Sequence, residues 1–420
     1  MCAASGPAGG GIFKKQKSML PRVKINYLNG LLGAAPDNQD GLMMLVVIGA
    51  TAVSSTFALG TPYRIQRPAD LAALGVTASN NARLAELVGQ FYGEAAEATP
   101  LYVLGLAGTY TMTTALDHLD GPLTDIIRGL HGVLRGVVVA EQSTASPTVT
   151  EGLDPDVFTA LPKAQALAEY AADSMYSPLF VILEGRAYAG AASLKDLSNQ
   201  AYNRCAVFIG DTKTALDGST VVSSKDAAVG VLAGRIAAAP VQRNIGRVAS
   251  GPLAPSSFYL GATLVDDVMA DVETIYGKGY ITPRIFYGLD GYFFTDDRMA
   301  CKADDDYAHL TARRTVDKAA RIAYLTLLQK LLDEIEVNTD GTMQAPVLKS
   351  WQADVEGAID QQMTAAGELS VVDGSGCKCF IDPAQNVLST SKVEASLRVR
   401  PFGYARDIIV NLGFLTTIES

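Results

Sequence analysis

The chain has 420 residues, too many for one ordinary core, so two or three domains are expected. With 48% hydrophobic and 19% charged residues it reads as globular rather than disordered. A net charge of −10 argues against nucleic acid as a partner, because phosphate binding needs a basic surface.

Residues 1–35 do not read as a domain. A small, Gly-rich start is followed by Lys14, Lys15, Lys17, Arg22 and Lys24, with no acid before Asp37. This is either a solvated terminus or an arm that orders on a neighbour, with 23–28 as its extended piece. No apolar stretch follows the lysines, so no signal peptide is expected. The longest apolar run, 42–50, is too short to span a bilayer, so direct membrane insertion is not expected either.

From Leu42 the pattern becomes short apolar strands separated by helices. Strands are expected at 42–48, 63–66, 101–104, 136–140, 179–184 and 204–209. Helices are expected at 81–98, 123–134 and 162–174, with 227–237 a small-residue helix packed closely on the sheet. Continuous apolar strands alternating with helices predict a mostly parallel sheet with flanking helices.

After Gly251-Pro252 the pattern changes. A helix ends at Gly277, and an aromatic hairpin, 280–287 with 292–294, turns on Gly288-Leu289-Asp290-Gly291. A long helix over 312–336 places Val316, Ala320, Ala323, Leu327, Leu328, Leu331 and Ile335 inward. A second, over 346–366, places Leu348, Trp351, Val355 and Ile359 inward and stops at Gly367. Strands follow near 368–372 and at 377–381, around a turn at 373–376. Two more close the chain: 393–399 by alternation of Val393, Ala395, Leu397 and Val399, and 406–412 by Ile408, Val410 and Leu412. This half reads as α+β. Its terminal strands either complete their own sheet or serve another chain.

Chemistry-bearing motifs are sparse. His118, His131 and His309 have no metal-ligand spacing and read as surface or packing residues. Five cysteines, Cys2, Cys205, Cys301, Cys377 and Cys379, are odd in number and scattered, which suits a reducing compartment better than a disulfide framework. Cys377 and Cys379 share a strand face but lack two further zinc ligands. The sequence has no phosphate-binding glycine loop and no nucleophile elbow. Asp296-Asp297 and Asp304-Asp305-Asp306 suit a cation or, preferably, a solvated loop. No catalytic residue, cofactor or metal is assigned.

Several stretches together resemble one family. Gly60-Thr61-Pro62-Tyr63-Arg64-Ile65 with Pro68-Ala69-Asp70-Leu71-Ala72-Ala73-Leu74-Gly75 looks like the opening of contractile tail sheath proteins, and Phe91-Tyr92 followed by Pro100-Leu101-Tyr102-Val103-Leu104 continues it. The 227–238 segment running to Pro240, Gly279-Tyr280-Ile281-Thr282-Pro283-Arg284, Arg313-Arg314 leading a long helix, and the ending Val399-Arg400-Pro401-Phe402-Gly403 through Phe414 follow in the family's order.

The resemblance implies a structural subunit, not an enzyme. It would polymerise with itself as stacked hexameric rings around a tail tube protein, with baseplate and tail terminator proteins as further partners, and contract to drive the tube through an envelope. Such a subunit belongs to a virion tail or injection apparatus assembled in a bacterial cytoplasm. The implied layout is an N-terminal arm over 1–35, an outward-facing α/β part over 36–250, a tube-facing α+β part over 251–403 and a C-terminal arm over 404–420. The arms would add strands to neighbours through Val23, Ile25 and Tyr27 at one end and Arg406, Ile408, Val410, Leu412 and Phe414 at the other. Hinges would lie at Gly30, Pro36, Pro401 and Gly403. Arg313, Arg314, Lys318 and Arg321 are the candidate tube-facing charges, the plainer reading being a solvated helix face. Another tail or baseplate protein, or an α/β enzyme with a regulatory domain, are the alternatives.

Overall fold

The computed structural model describes residues 39–142, 148–217 and 219–413. Six strands form the main sheet: β1 (Met43–Ile48), β2 (Pro62–Ile65), β3 (Leu101–Leu106), β4 (Gly136–Glu141), β5 (Phe180–Glu184) and β6 (Cys205–Phe208), in the order β2-β3-β1-β4-β5-β6. All neighbours pair in parallel except β2, which runs antiparallel along the β3 edge. The reason is in the residues. Met43 to Ile48 are all buried, as are Phe180 to Glu184, so neither strand has a polar face to give to solvent, and crossover helices must cover both sides.

The helices flanking the sheet are α1 (Pro68–Ala73), α2 (Ala82–Glu94), α3 (Leu123–Gly129), α4 (Pro155–Ser174) and, after the last strand, α5 (Val229–Ala238). The α4 helix begins well before the expected 162. Asp154 caps it by accepting from Asp156 N at 3.0 Å, Pro155 takes its first turn, and Pro162 sits in its interior. The close packing expected of 227–237 is realised against α2. A Cβ on Gly230 or Gly234 would collide with the carbonyl oxygens of Leu87 and Phe91. At the carboxyl end of the sheet, where open α/β proteins place their ligands, sits a buried charge cluster. Arg83 reaches Glu184, and Arg186 reaches Asp154 at 3.1 Å and Glu141 at 3.4 Å.

The first core does not stop at residue 250. Phe258, Tyr280, Phe294 and Leu310 belong to it together with Met43 and Val181. It takes in α6 (Met269–Gly277) and the expected aromatic hairpin, reduced to β7 (Pro283–Arg284) and β8 (Phe293–Phe294). A second core joins α7 (Leu310–Leu328), α8 (Ala345–Ile359) and the antiparallel pair β9 (Cys377–Ile381) and β10 (Ala395–Val399).

Three expectations for this half need correction. The α7 helix ends eight residues early, and Leu332, at φ +64, turns the chain. Its inward face is also different: Ala320 and Leu328 are exposed, while Arg314, Thr315, Ala319 and Ile322 are buried. The strand expected near 368–372 does not form; Glu368 and Leu369 are buried in irregular chain leading to the 373–376 turn. The α8 helix agrees with its sequence pattern, with Leu348, Val355 and Ile359 buried, Trp351 half-buried and Gly367 at φ +69 beyond its end.

Candidate assembly interface

The C-terminal residues after β10 leave the body in two steps. Pro401 to Arg406 lie along it: the Tyr404 hydroxyl donates to the Gln242 carbonyl, and Arg406 Nε sits 2.7 Å from Asp296 Oδ2. Residues 407–413 then run free. They make no backbone hydrogen bond among the described residues, and Ile408 is 76% and Leu412 96% exposed. The strand expected at 406–412 is therefore not formed. A strand needs a ladder partner, and among the described residues this segment has none. Phe414, and the N-terminal candidates Val23, Ile25, Tyr27, Gly30 and Pro36, lie outside the described residues. Of the two C-terminal hinge candidates, Pro401 and Gly403 are exposed, but they precede the docked pair Tyr404 and Arg406.

The acceptor of Arg406 reads in sequence as a solvated loop. It is instead a buried acid pair. Asp297 is fully buried and Asp296 nearly so. Asn244 Nδ2 donates to both carboxylates, Thr311 N donates to Asp297 at 2.7 Å, and His309 Nδ1 lies 3.0 Å from Asp297. Burial opposes the charge on Asp296. Hydrogen bonds within the acid pair and from Arg406 and Asn244, with the His309 ring, outweigh it and hold the carboxyl below its usual range. Asp296, Asp297 and His309 also lie close enough together to contact one ion. Their ligand oxygens and ring nitrogen are already bonded to protein groups, so the cluster is better read as an anchor for Arg406.

The four candidate tube-facing charges do not form the solvated helix face of their plainer reading. Arg313 and Arg314 are buried, and Lys318 and Arg321 are nearly so, each held by groups of the same chain. Arg313 stacks on the Tyr307 ring at 3.5 Å, and Arg314 donates to the Ala239 carbonyl at 2.9 Å. Lys318 is shared between Asp40 at 2.6 Å and Glu368 at 2.7 Å, and Arg321 reaches Asp40 at 3.3 Å. Burial raises the Asp40 carboxyl, but bonding to Lys318 and the charges of Lys318, Arg321 and Arg314 outweigh it and lower it; at Glu368 burial wins and the carboxyl rises. Asp40 stands where the described chain begins. The α7 helix therefore grips the chain at Asp40 through its cations, while its first turn is capped by the acid pair that grips Arg406.

The β9–β10 pair has two unequal edges. On β9 the outward N–H groups of Cys377 and Cys379 are already taken, by Ser375 Oγ at 3.2 Å and Glu356 Oε1 at 2.8 Å. On β10 the outward groups of Ala395, Leu397 and Val399 have no hydrogen-bond partner among the described residues. Leu397 and Val399 are only partly covered by the second core.

A family model described as DUF2586, N-terminal domain, matches residues 20–298, and one described as DUF2586, C-terminal domain, matches 306–419. The chain belongs to the DUF2586 family. The two DUF2586 models part between 298 and 306, close to where the first core ends at Leu310. No curated protein matches.

Among solved structures, this DUF2586 chain is similar to the sheath of the extracellular contractile injection system PVC in its contracted state. The TM-score is 0.60 at 14% identity, over 95% of this chain and 98% of that one. It is similar to the helical sheath of the anti-feeding prophage in its contracted state, with TM-score 0.60 at 15% identity, over 94% and 99%. A chain of that prophage's baseplate gives 0.59 at 14%, over 94% and 99%. The DUF2586 chain thus has the mixed α/β fold of contractile sheath proteins, as the sequence motifs imply.

The sequence pattern shows the alternation at Ile408, Val410 and Leu412 but not the contact that holds Arg406. By sequence alone Asp296-Asp297 is one of two similar acidic clusters. Its neighbour Asp304-Asp305-Asp306 is largely exposed, and the difference lies in Asn244, Thr311 and Arg406, distant in sequence.

Proposed function

We propose that this protein is the structural subunit of a contractile sheath, and that residues 407–413 of each copy add as a strand to the open β10 edge of another. The observation that carries the reading is a mismatch among the described residues: an exposed apolar segment with no ladder partner, and a strand edge with none either. Ile408, Val410 and Leu412 alternate along the segment, so one face would cover Leu397 and Val399 while the backbone completes the ladder. Each such hydrogen bond contributes a net ~0.5–1.5 kcal/mol, so four or five make a joint that persists while bodies reorient.

The likeness to sheaths of contractile injection systems supports this reading, as does the Glu356 side chain, which leaves β10 rather than β9 as the free edge. On it, copies stack as hexameric rings around a tail tube, bound at their ends by baseplate and terminator proteins, and no catalytic chemistry is involved. The subunit works in a virion tail or injection apparatus, after assembly in a bacterial cytoplasm.

Disulfide trapping tests the strand addition. With Ser396→Cys on β10 and Asn411→Cys in the arm, mild oxidation should give a ladder of covalent multimers on a denaturing gel. Cross-linked species that stay monomeric at every protein concentration would contradict it.

A further inference from the structure

Between α3, the end of α4 and the second half of α7 lies a cavity of about 830 Å³. Its wall carries Arg128, Arg135, Lys318 and Arg321 against one carboxylate, Asp40, in a chain whose net charge is −10. Lys318 and Arg321 are satisfied by Asp40, and exposed Arg128 by Asp125. Arg135 is not. It donates to the carbonyls of Gly132 at 2.7 Å and Leu134 at 3.1 Å, and among the described residues it forms no ion pair. Burial first, and the Arg321 charge second, push its guanidinium down to about 10, offset only in part by the nearby Asp40 charge. Beside it, Tyr176 and Tyr324 stack with centroids 4.6 Å apart and give the cavity an apolar flank.

The turn after α7 has the opposite character. Leu331 is 68% and Leu332 97% exposed, and Asp333, Glu334 and Glu336 beside them are exposed too. Lys330, the cation nearest in sequence, is held by Asp354 at 2.9 Å. Adjacent leucines so open to water, flanked by acids, suit a partner that is apolar and basic together.

We propose that the 331–336 turn of one copy seats in the Arg128–Arg135 cavity of a second copy, carboxylates on the guanidiniums and leucines on the tyrosine pair. The proposal rests on the self-assembly reading above but names a contact between folded bodies, separate from strand addition. Charge complementarity selects the occupant, because the same chain carries both a cation with no ion pair among the described residues and an exposed acidic, apolar turn.

The test is titration of a fluorescein-labelled peptide spanning residues 329–338 onto the full-length protein. Saturable binding is expected, weakened at least about tenfold by R128E/R135E in the protein or by D333K/E334K in the peptide, and restored when both are reversed. The single variant R128Q, at an exposed site, should weaken it in the same direction and serves if R128E/R135E does not fold. No saturable binding up to ~1 mM, or binding indifferent to these charges, would overturn the contact. The peptide measurement does not need polymers. Intact binding without tubes would therefore sink the sheath reading alone, whereas tubes formed normally by the full-length D333K/E334K variant would sink this contact alone.

Discussion

Arg406 is where a single side chain decides most. It is about a third exposed, and its partners are almost fully buried, so its ion pair is screened on one side only. Discounting for that exposure, Arg406→Ala should cost about 1 kcal/mol in urea unfolding, and its larger effect should be local. Chymotryptic cleavage after Phe402 and Tyr404 should accelerate while the body stays intact; unchanged cleavage there would mean Arg406 is not the anchor. Acid should act in the same direction. Asp296 and Asp40 are both held below their usual range, so each contributes stability that is fully present above the unfolded carboxylate value of about 3.9. That contribution is lost as pH falls through the lower folded values. Unfolding free energy should thus decline below about pH 4, and D296N should flatten the decline. None of this is legible in the sequence, because the meaning of Asp296 depends on Asn244, His309 and Arg406, which only the fold brings together.

At the scale of elements, α7 shows how a periodic pattern misleads. Counting Val316, Ala320 and Ala323 as the inward stripe assumes that charges face water. Here the buried face is charged because Asp40 and Glu368 meet its Lys318, and Arg204 meets its Asp317. Lys318→Met should therefore be costly although it adds an apolar group. It leaves Asp40 and Glu368 without their shared cation, a loss of about 3 kcal/mol by thermal or urea unfolding. A change within about 0.5 kcal/mol would show the pair to be solvated instead. The α2–α5 contact makes the opposite point. The small residues of α5, Gly230 and Gly234 among them, signal close packing in the sequence itself. Gly234→Ala should destabilise by ~1–3 kcal/mol because the added methyl meets the Phe91 carbonyl. The main-sheet strands are legible for a related reason: a wholly buried strand has only apolar side chains to show.

For the whole molecule, the coarse plan is readable and the seams are not. Motif order points to the sheath fold, yet the first core runs past residue 250 to Leu310, because Phe258, Tyr280 and Phe294 return to pack on it. The C-terminal segment is readable as alternation at Ile408, Val410 and Leu412, but whether it pairs at home or abroad depends on which edge is free. The most direct measurement is negative-stain electron microscopy of the purified full-length protein beside a variant lacking residues 407–420, which keeps Tyr404 and Arg406 in place. The account predicts hollow, ridged tubes from the first and a folded, unassembled subunit from the second. Tubes of normal length from the truncated chain would contradict assembly through the arm.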